Sequence, residues 1–163
     1  MLAAGTGITP MYQALLRIFE QDDDDDKEIS SNNPRIRNIH LFYGCKTKAD
    51  ILLYDELEEM QRKHPDQLKI HYAISSAQSL SNLKHAFRFG PRIKFGRICK
   101  EDLMEACKDI LPWKGNNAVD CRVWVCGPET FYENFSGTRG DKALPPSCVL
   151  GELGFKPNQV IKF

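Results

Sequence analysis

Two glycines close to the start of the chain constrain it most. Ala4-Gly5-Thr6-Gly7-Ile8-Thr9-Pro10-Met11 follows an apolar pair, Leu2 and Ala3, that reads as the end of a strand. Gly5 and Gly7 remove side chains where the backbone must turn sharply and lie close to a neighbour or ligand. Thr9 suits the cap of a helix and Pro10 its first position. Met11, Ala14, Leu15, Ile18 and Phe19 then recur at helical spacing. A strand, a glycine turn and a helix start make an anion site, because unpaired N–H groups and the helix dipole face the same point. A short motif of this kind also fits a tight turn that binds nothing.

A second segment bears on that choice. Arg122-Val123-Trp124-Val125-Cys126-Gly127-Pro128-Glu129-Thr130-Phe131 reads as a buried strand, a turn and another helix start. Between the two motifs the chain alternates. Strands are expected at Ile39–Tyr43, Leu68–Ile74 and Val123–Cys126, and a last one closes at Phe163. Helices are expected from about Asp50 to Lys63, from about Lys100 to Leu111 and after Pro128. Thr47 and Asp50 stand at capping-box spacing, and Pro112 ends the third helix. Such alternation implies right-handed crossovers and a parallel sheet covered by helices on both faces.

Charge and cysteine content narrow the classes. Lys plus Arg and Asp plus Glu each number 22, so no overall field recruits nucleic acid. No apolar run is long enough to span a bilayer, and no secretory signal precedes the first motif, so this chain is expected to make no membrane contact of its own. None of the six cysteines (Cys45, Cys99, Cys107, Cys121, Cys126 and Cys148) forms a C-x-x-C pair. They read as reduced, mostly buried thiols of an intracellular protein.

With both turns in place, the chain resembles the nucleotide-binding lobe of the ferredoxin–NADP reductase superfamily, and most closely its cytochrome-b5 reductase branch. That branch carries a G-G-T-G-I-T-P-M turn, a T-x-x-D-I-L-L-x-x-E-L segment and a C-G-P turn, in that order. Here the middle segment is Thr47, Asp50, Ile51, Leu52, Leu53, Glu56 and Leu57. Gly96-Arg97-Ile98 and the terminal Val160-Ile161-Lys162-Phe163 are also similar to family segments. The resemblance implies a doubly wound α/β fold with a five-stranded parallel sheet in the order 3-2-1-4-5, its first strand cut short because only Met1 to Ala4 precede the turn. The ligand then lies beyond the carboxyl ends of the strands, at the switch point flanked by Gly5 and Cys126.

The same resemblance implies a mechanism. NADH or NADPH lies across the lobe and passes a hydride to FAD held by a separate FAD-binding domain upstream. The flavin then delivers single electrons to a haem or iron–sulfur acceptor. Gly5, Thr6 and Gly7 would cradle the pyrophosphate, with Thr9 and Pro10 starting the helix behind them. Cys126 would pack at the nicotinamide, and Gly127 and Pro128 would hold that turn open. No R-x-Y-[ST] flavin motif occurs in the chain, so alone it is expected to be inactive. The full-length protein could attach to a mitochondrial or endoplasmic reticulum membrane. A non-catalytic nucleotide-binding or interaction module, left after loss of the flavin domain, is the alternative.

Four features depart from this pattern or interrupt it. Ala4 replaces the first glycine of the turn. The residues after the third strand, Ala73-Ile74-Ser75-Ser76, lack the acid that favours an unphosphorylated ribose, while Lys46 and Lys48 lie nearby. The choice between NADH and NADPH therefore stays open. Asp22 to Asp26 leads into a Ser/Asn stretch up to Pro34, expected as an acidic disordered loop over about 22–34. Gln78 to Arg97 is basic, and reads either as a solvated connection or as a docking face for an acidic electron acceptor.

Overall fold

The computed structural model describes residues 1–25, 38–76, 93–108 and 121–163. Its elements are β1 (Leu2–Ala4), α1 (Ile8–Asp25), β2 (Ile39–Cys45), α2 (Tyr54–Lys63), β3 (Leu68–Ile74), β4 (Ile93–Phe95), α3 (Lys100–Ala106), β5 (Val123–Cys126), α4 (Glu129–Phe135), α5 (Val149–Glu152) and β6 (Val160–Lys162). The strands form one sheet in the order β4-β3-β2-β1-β5-β6, and every pairing is parallel.

The period-two alternation of the strands sorts their side chains onto two faces. Ala3, Leu41, Tyr43, Ile70 and Tyr72 face one core, where Met11, Leu15 and Phe19 of α1 and Leu57 and Met60 of α2 cover them. Leu2, Phe42, Ala73, Val123 and Val125 face the other core, covered by Leu103 of α3, Tyr132 and Phe135 of α4 and Leu150 of α5. Helices on both faces are what strands buried on both sides require. Helices α1 and α2 lie on one face and α3, α4 and α5 on the other, so the winding reverses between β1 and β5.

The sheet has six strands where five were expected. Removing β4 leaves the predicted order, and β4 adds to the outer edge of β3 through Tyr72–Ile93, Ala73–Lys94 and Ile74–Phe95. It lies in the basic segment read as a connection or docking face. Three residues carry too short a pattern to be read as a strand, and their pairing depends on the open edge of β3. The rest of that segment, up to residue 92, lies outside the described residues.

Other boundaries also moved. Helix α1 runs through Asp25, so Asp22–Asp25 are helical where a disordered loop was expected, and the remainder of that loop lies outside the described residues. A strongly apolar face upstream carries the helix past a local charge penalty. Helix α2 begins at Tyr54 instead of Asp50. Thr47 and Asp50 do form the expected reciprocal bonds, with the Asp50 carboxylate accepting from Thr47 N–H at 2.8 Å, but they close a short 3-10 turn. Leu53 then takes a left-handed conformation, φ 58°, that separates this turn from the helix. Helix α3 ends at Ala106, with Cys107 as its C-cap, where an end at Leu111 was expected; Pro112 lies outside the described residues.

Candidate functional site

Strand β1 is only three residues long, yet it is paired on both sides. Ala4 stands opposite Gly44 of β2, and Ala3 opposite Cys126 of β5. This central position places the end of β1 at the reversal of the sheet, beside the end of β5. Both glycine-containing turns therefore leave the sheet at adjacent points.

Their contact is close. A Cβ built on Gly7 would stand 2.2 Å from the carbonyl oxygen of Cys126 and 2.9 Å from the nitrogen of Gly127. Both obstacles are backbone, which cannot swing aside as a side chain can. Gly7 is thus required by the approach of the second turn. Gly5 serves differently. It has φ +54°, the left-handed region that costs other residues about 1–2 kcal/mol, and a Cβ there would meet nothing within 4 Å. The space over Gly5 is open.

Gly5–Gly7 form a 3-10 turn that runs straight into α1. The helical path therefore starts before Thr9, and Thr9 does not cap it. Its hydroxyl instead donates to the carbonyl of Thr6 at 3.1 Å, and Pro10 falls third in the helix instead of first. Ala4 occupies the cap position of the turn and contributes no side-chain hydrogen bond. The start of such a turn and helix favours a bound anion.

Tyr43 supports this turn from below, and nothing in the sequence pattern had singled it out. It is fully buried, and its hydroxyl donates to the carbonyl of Gly5 at 3.0 Å and accepts from Leu52 N–H at 3.2 Å. One phenol thus ties the turn after β1 to the loop after β2. Burial pushes this phenol far above the usual tyrosine range, so it stays neutral and able to donate. The available signal was a tyrosine inside an otherwise apolar strand, since a buried phenol needs a polar partner.

The second turn has its own support. Cys126 is half-buried at the end of β5, followed by half-buried Gly127 and exposed Pro128, which caps α4. A Cβ on Gly127 would crowd Phe131 at 2.9 Å and Ala4 at 3.1 Å. The Tyr132 phenol donates to the carbonyl of Phe163. Burial, and then the neighbouring Cys126, raise its pKa. Phe163 N–H donates to Val125 O at 3.1 Å, and its ring packs on Trp124 with centroids 5.5 Å apart.

Of the residues expected at the site, Gly5, Thr6, Gly7, Cys126, Gly127 and Pro128 converge on one end of the sheet. Thr9 and Pro10 lie just behind, in the first turn of α1. A cavity of about 270 Å³ opens elsewhere, beside β6, bounded by Arg139, Lys142, Leu144, Val160 and Lys162, and none of the turn residues lines it. Among the described residues no group of three or more His, Cys, Asp or Glu could hold a metal ion, and no helix is long and apolar enough to cross a membrane.

Residues 1–136 match the model of the oxidoreductase NAD-binding domain family. The chain is 37% identical over 164 residues to NADH-cytochrome b5 reductase 2-B of Vanderwaltozyma polyspora, covering 99% of this chain and 46% of that protein. It is 34% identical over 168 residues to NADH-cytochrome b5 reductase 2 of Kluyveromyces lactis, covering 100% and 46%. Among solved structures it is similar to the cytochrome b5 reductase domain of Ulva prolifera nitrate reductase, with a TM-score of 0.62 and 28% identity over 100% of this chain and 47% of that one. The chain spans about half the length of the curated relatives it matches.

Proposed function

The chain belongs to the oxidoreductase NAD-binding domain family, and from that membership we propose that it binds NAD(P)H and works with an FAD-binding domain to reduce a haem protein such as cytochrome b5. The observation that carries this reading is the contact of Gly7 with the Cys126–Gly127 backbone beside the open space over Gly5. Two segments more than a hundred residues apart form one surface at the point where ligands bind in sheets of this kind.

Each residue then has a task. Gly5, Thr6 and Gly7 cradle the pyrophosphate, and Gly5 leaves room for it. Tyr43 holds that turn at its height by bonding the Gly5 carbonyl. Thr9 and Pro10 set the first turn of α1, whose dipole favours a bound anion. Cys126 lies at the end reserved for the nicotinamide, where a small polarizable thiol packs without blocking approach. Gly127 and Pro128 direct the chain away from the same place. The nicotinamide supplies a hydride and the flavin accepts it, while this chain supplies position and excludes water. By itself, the chain is proposed to bind the nucleotide without turning it over.

The test has two stages. NAD+ titrated into the chain should shift the backbone amide resonances of Gly5–Ile8 and Cys126–Gly127 before others. Joined to the FAD-binding half of one of the yeast relatives, the chain should support NAD(P)H-dependent reduction of cytochrome b5. Absence of those shifts at millimolar NAD+ would sink the binding assignment. Binding without reduction in the joined protein would leave the non-catalytic module as the better account.

A further inference from the structure

The cavity beside β6 shares no residue with the two glycine turns, and its walls carry an excess of positive charge. Arg139, Lys142 and Lys162 line it together, with Asp141 as its single acid and Leu144 and Val160 on its apolar side. Among the described residues, ion pairs engage Arg62, Lys63, Lys94 and Lys100, and none of these three cations. The Asp141 carboxylate accepts instead from the Thr138 hydroxyl at 2.6 Å. A concave wall with uncompensated charge of one sign concentrates ions of the other.

The loop that brings the cations together is held by its own bonds. Lys162, half-buried on the edge strand β6, donates from Nζ to the Thr138 carbonyl at 2.8 Å and to the Asp141 carbonyl at 2.9 Å. Asp141 N–H donates to the Thr138 carbonyl at 3.2 Å and closes a turn between them. A Cβ on Gly137 would stand 2.5 Å from Cδ of Pro145, so the two ends of the loop pack against each other. An ammonium has three N–H donors, and the two carbonyls occupy two of them. They fix the Lys162 charge in place without neutralising it.

Size and charge select the ligand. The volume, about 270 Å³, lies just below the roughly 300–1,000 Å³ of sites for drug-sized molecules, and suits something smaller than a dinucleotide. Three cations against one carboxylate leave two positive charges. A phosphate monoester matches that excess, with a charge of about −1.5 to −2 near neutral pH and three acceptor oxygens. A guanidinium meets such a group with paired N–H donors. Leu144 and Val160 offer apolar contact to whatever the phosphate is attached to.

We infer that this cavity is a second ligand site, which takes a phosphate monoester with a small apolar body, the phosphate on Arg139, Lys142 and Lys162 and the body against Leu144 and Val160. The site stands apart from the nucleotide turn and does not depend on the nucleotide-binding reading.

Phenyl phosphate is the probe. Titrated into the 163-residue chain, it should shift the backbone amide resonances of Gly140, Lys142, Leu144 and Val160, with or without NAD+ present. Inorganic phosphate lacks the body and phenol lacks the charge, and each should bind about tenfold more weakly or worse. Arg139→Gln and Lys142→Gln should each weaken phenyl phosphate about tenfold, the loss of one charge-assisted hydrogen bond. Both residues are exposed, so neither variant threatens folding. Vesicles containing phosphatidic acid present the same monoester on a lipid surface. Sedimentation of the chain with them, lost in the two variants, would assign the ligand to a lipid headgroup, and phenyl phosphate binding without it would assign a free molecule. The inference is overturned if phenyl phosphate leaves those four resonances unmoved or shifts only Gly5–Ile8. Inorganic phosphate binding as tightly as phenyl phosphate would also overturn it, as would an affinity unchanged in both variants.

Discussion

Gly7 lies directly against the carbonyl of Cys126, so closely that a methyl group on its α-carbon would stand 2.2 Å from that oxygen. The two residues belong to different crossovers, and their contact joins the turn after β1 to the turn after β5. Gly7→Ala should therefore lower stability by about 3 kcal/mol or more, since the obstacle is backbone and cannot repack. Gly5→Ala should cost only about 1–2 kcal/mol of left-handed strain. It should weaken NAD+ binding by about tenfold or more, because the added methyl enters the space kept for the ligand. Chemical denaturation and calorimetry of the two variants check this split. Equal stability losses would contradict it.

Tyr43→Phe removes one hydroxyl and strands two backbone groups, the Gly5 carbonyl and the Leu52 N–H. The expected loss is about 1–3 kcal/mol, the cost of leaving such groups unsatisfied. Nucleotide affinity should fall as well, because the glycine turn loses its support. A variant as stable as the parent would mean that water replaces the phenol.

Cys126 is best tested in a protein that also carries the flavin domain. If its thiol packs at the nicotinamide, Cys126→Ser and Cys126→Ala should slow flavin reduction at saturating NADH more than they weaken binding, the pattern of an interaction used mainly in the transition state. Stopped-flow absorbance follows the step. An unchanged rate in both variants would return Cys126 to a packing role.

His40 gives the fold a pH dependence. Burial, then the neighbouring His71 and Lys69, push its imidazole down from 6.5 to about 4. Its Nδ1 lies 3.2 Å from His71 Nε2. Between these two values the unfolded chain binds a proton that the folded chain refuses. Stability contributed by neutral His40 is therefore complete above about pH 6.5, falls as the pH drops toward 4, and levels off below. Denaturation midpoints across this range should show the slope, and His40→Asn should flatten it. Parallel curves for the two proteins would show that other groups carry the slope.

The parts of the fold legible from sequence were those with a local cause. Strand β3 appears at its expected bounds because Leu68, Ile70, Tyr72 and Ile74 alternate with residues of the opposite face. Thr47 and Asp50 find each other because three residues separate them, whatever the rest of the chain does. The start of α1 was misplaced by a comparably local feature. Thr9 and Pro10 have the composition of a helix cap, but the preceding 3-10 turn already runs along the helix path and leaves no cap for Thr9 to make.

Sequence by itself determined the alternation of strands and helices, the two glycine turns and the end of the sheet at which they emerge. Each follows from periodicity, or from backbone conformations open chiefly to glycine, and so needs no distant partner. Tertiary structure alone decided the rest. β4 exists because β3 offers an open edge, a fact about the sheet and not about Ile93-Lys94-Phe95. Tyr43 supports the glycine turn because pairing of β1 with β2 brings its hydroxyl beneath Gly5, 38 residues away in the chain. The need for glycine at position 7 arises from Cys126, more than a hundred residues downstream. Spacing in sequence carries no record of such approaches, because they form only when the strands that bear them are laid side by side.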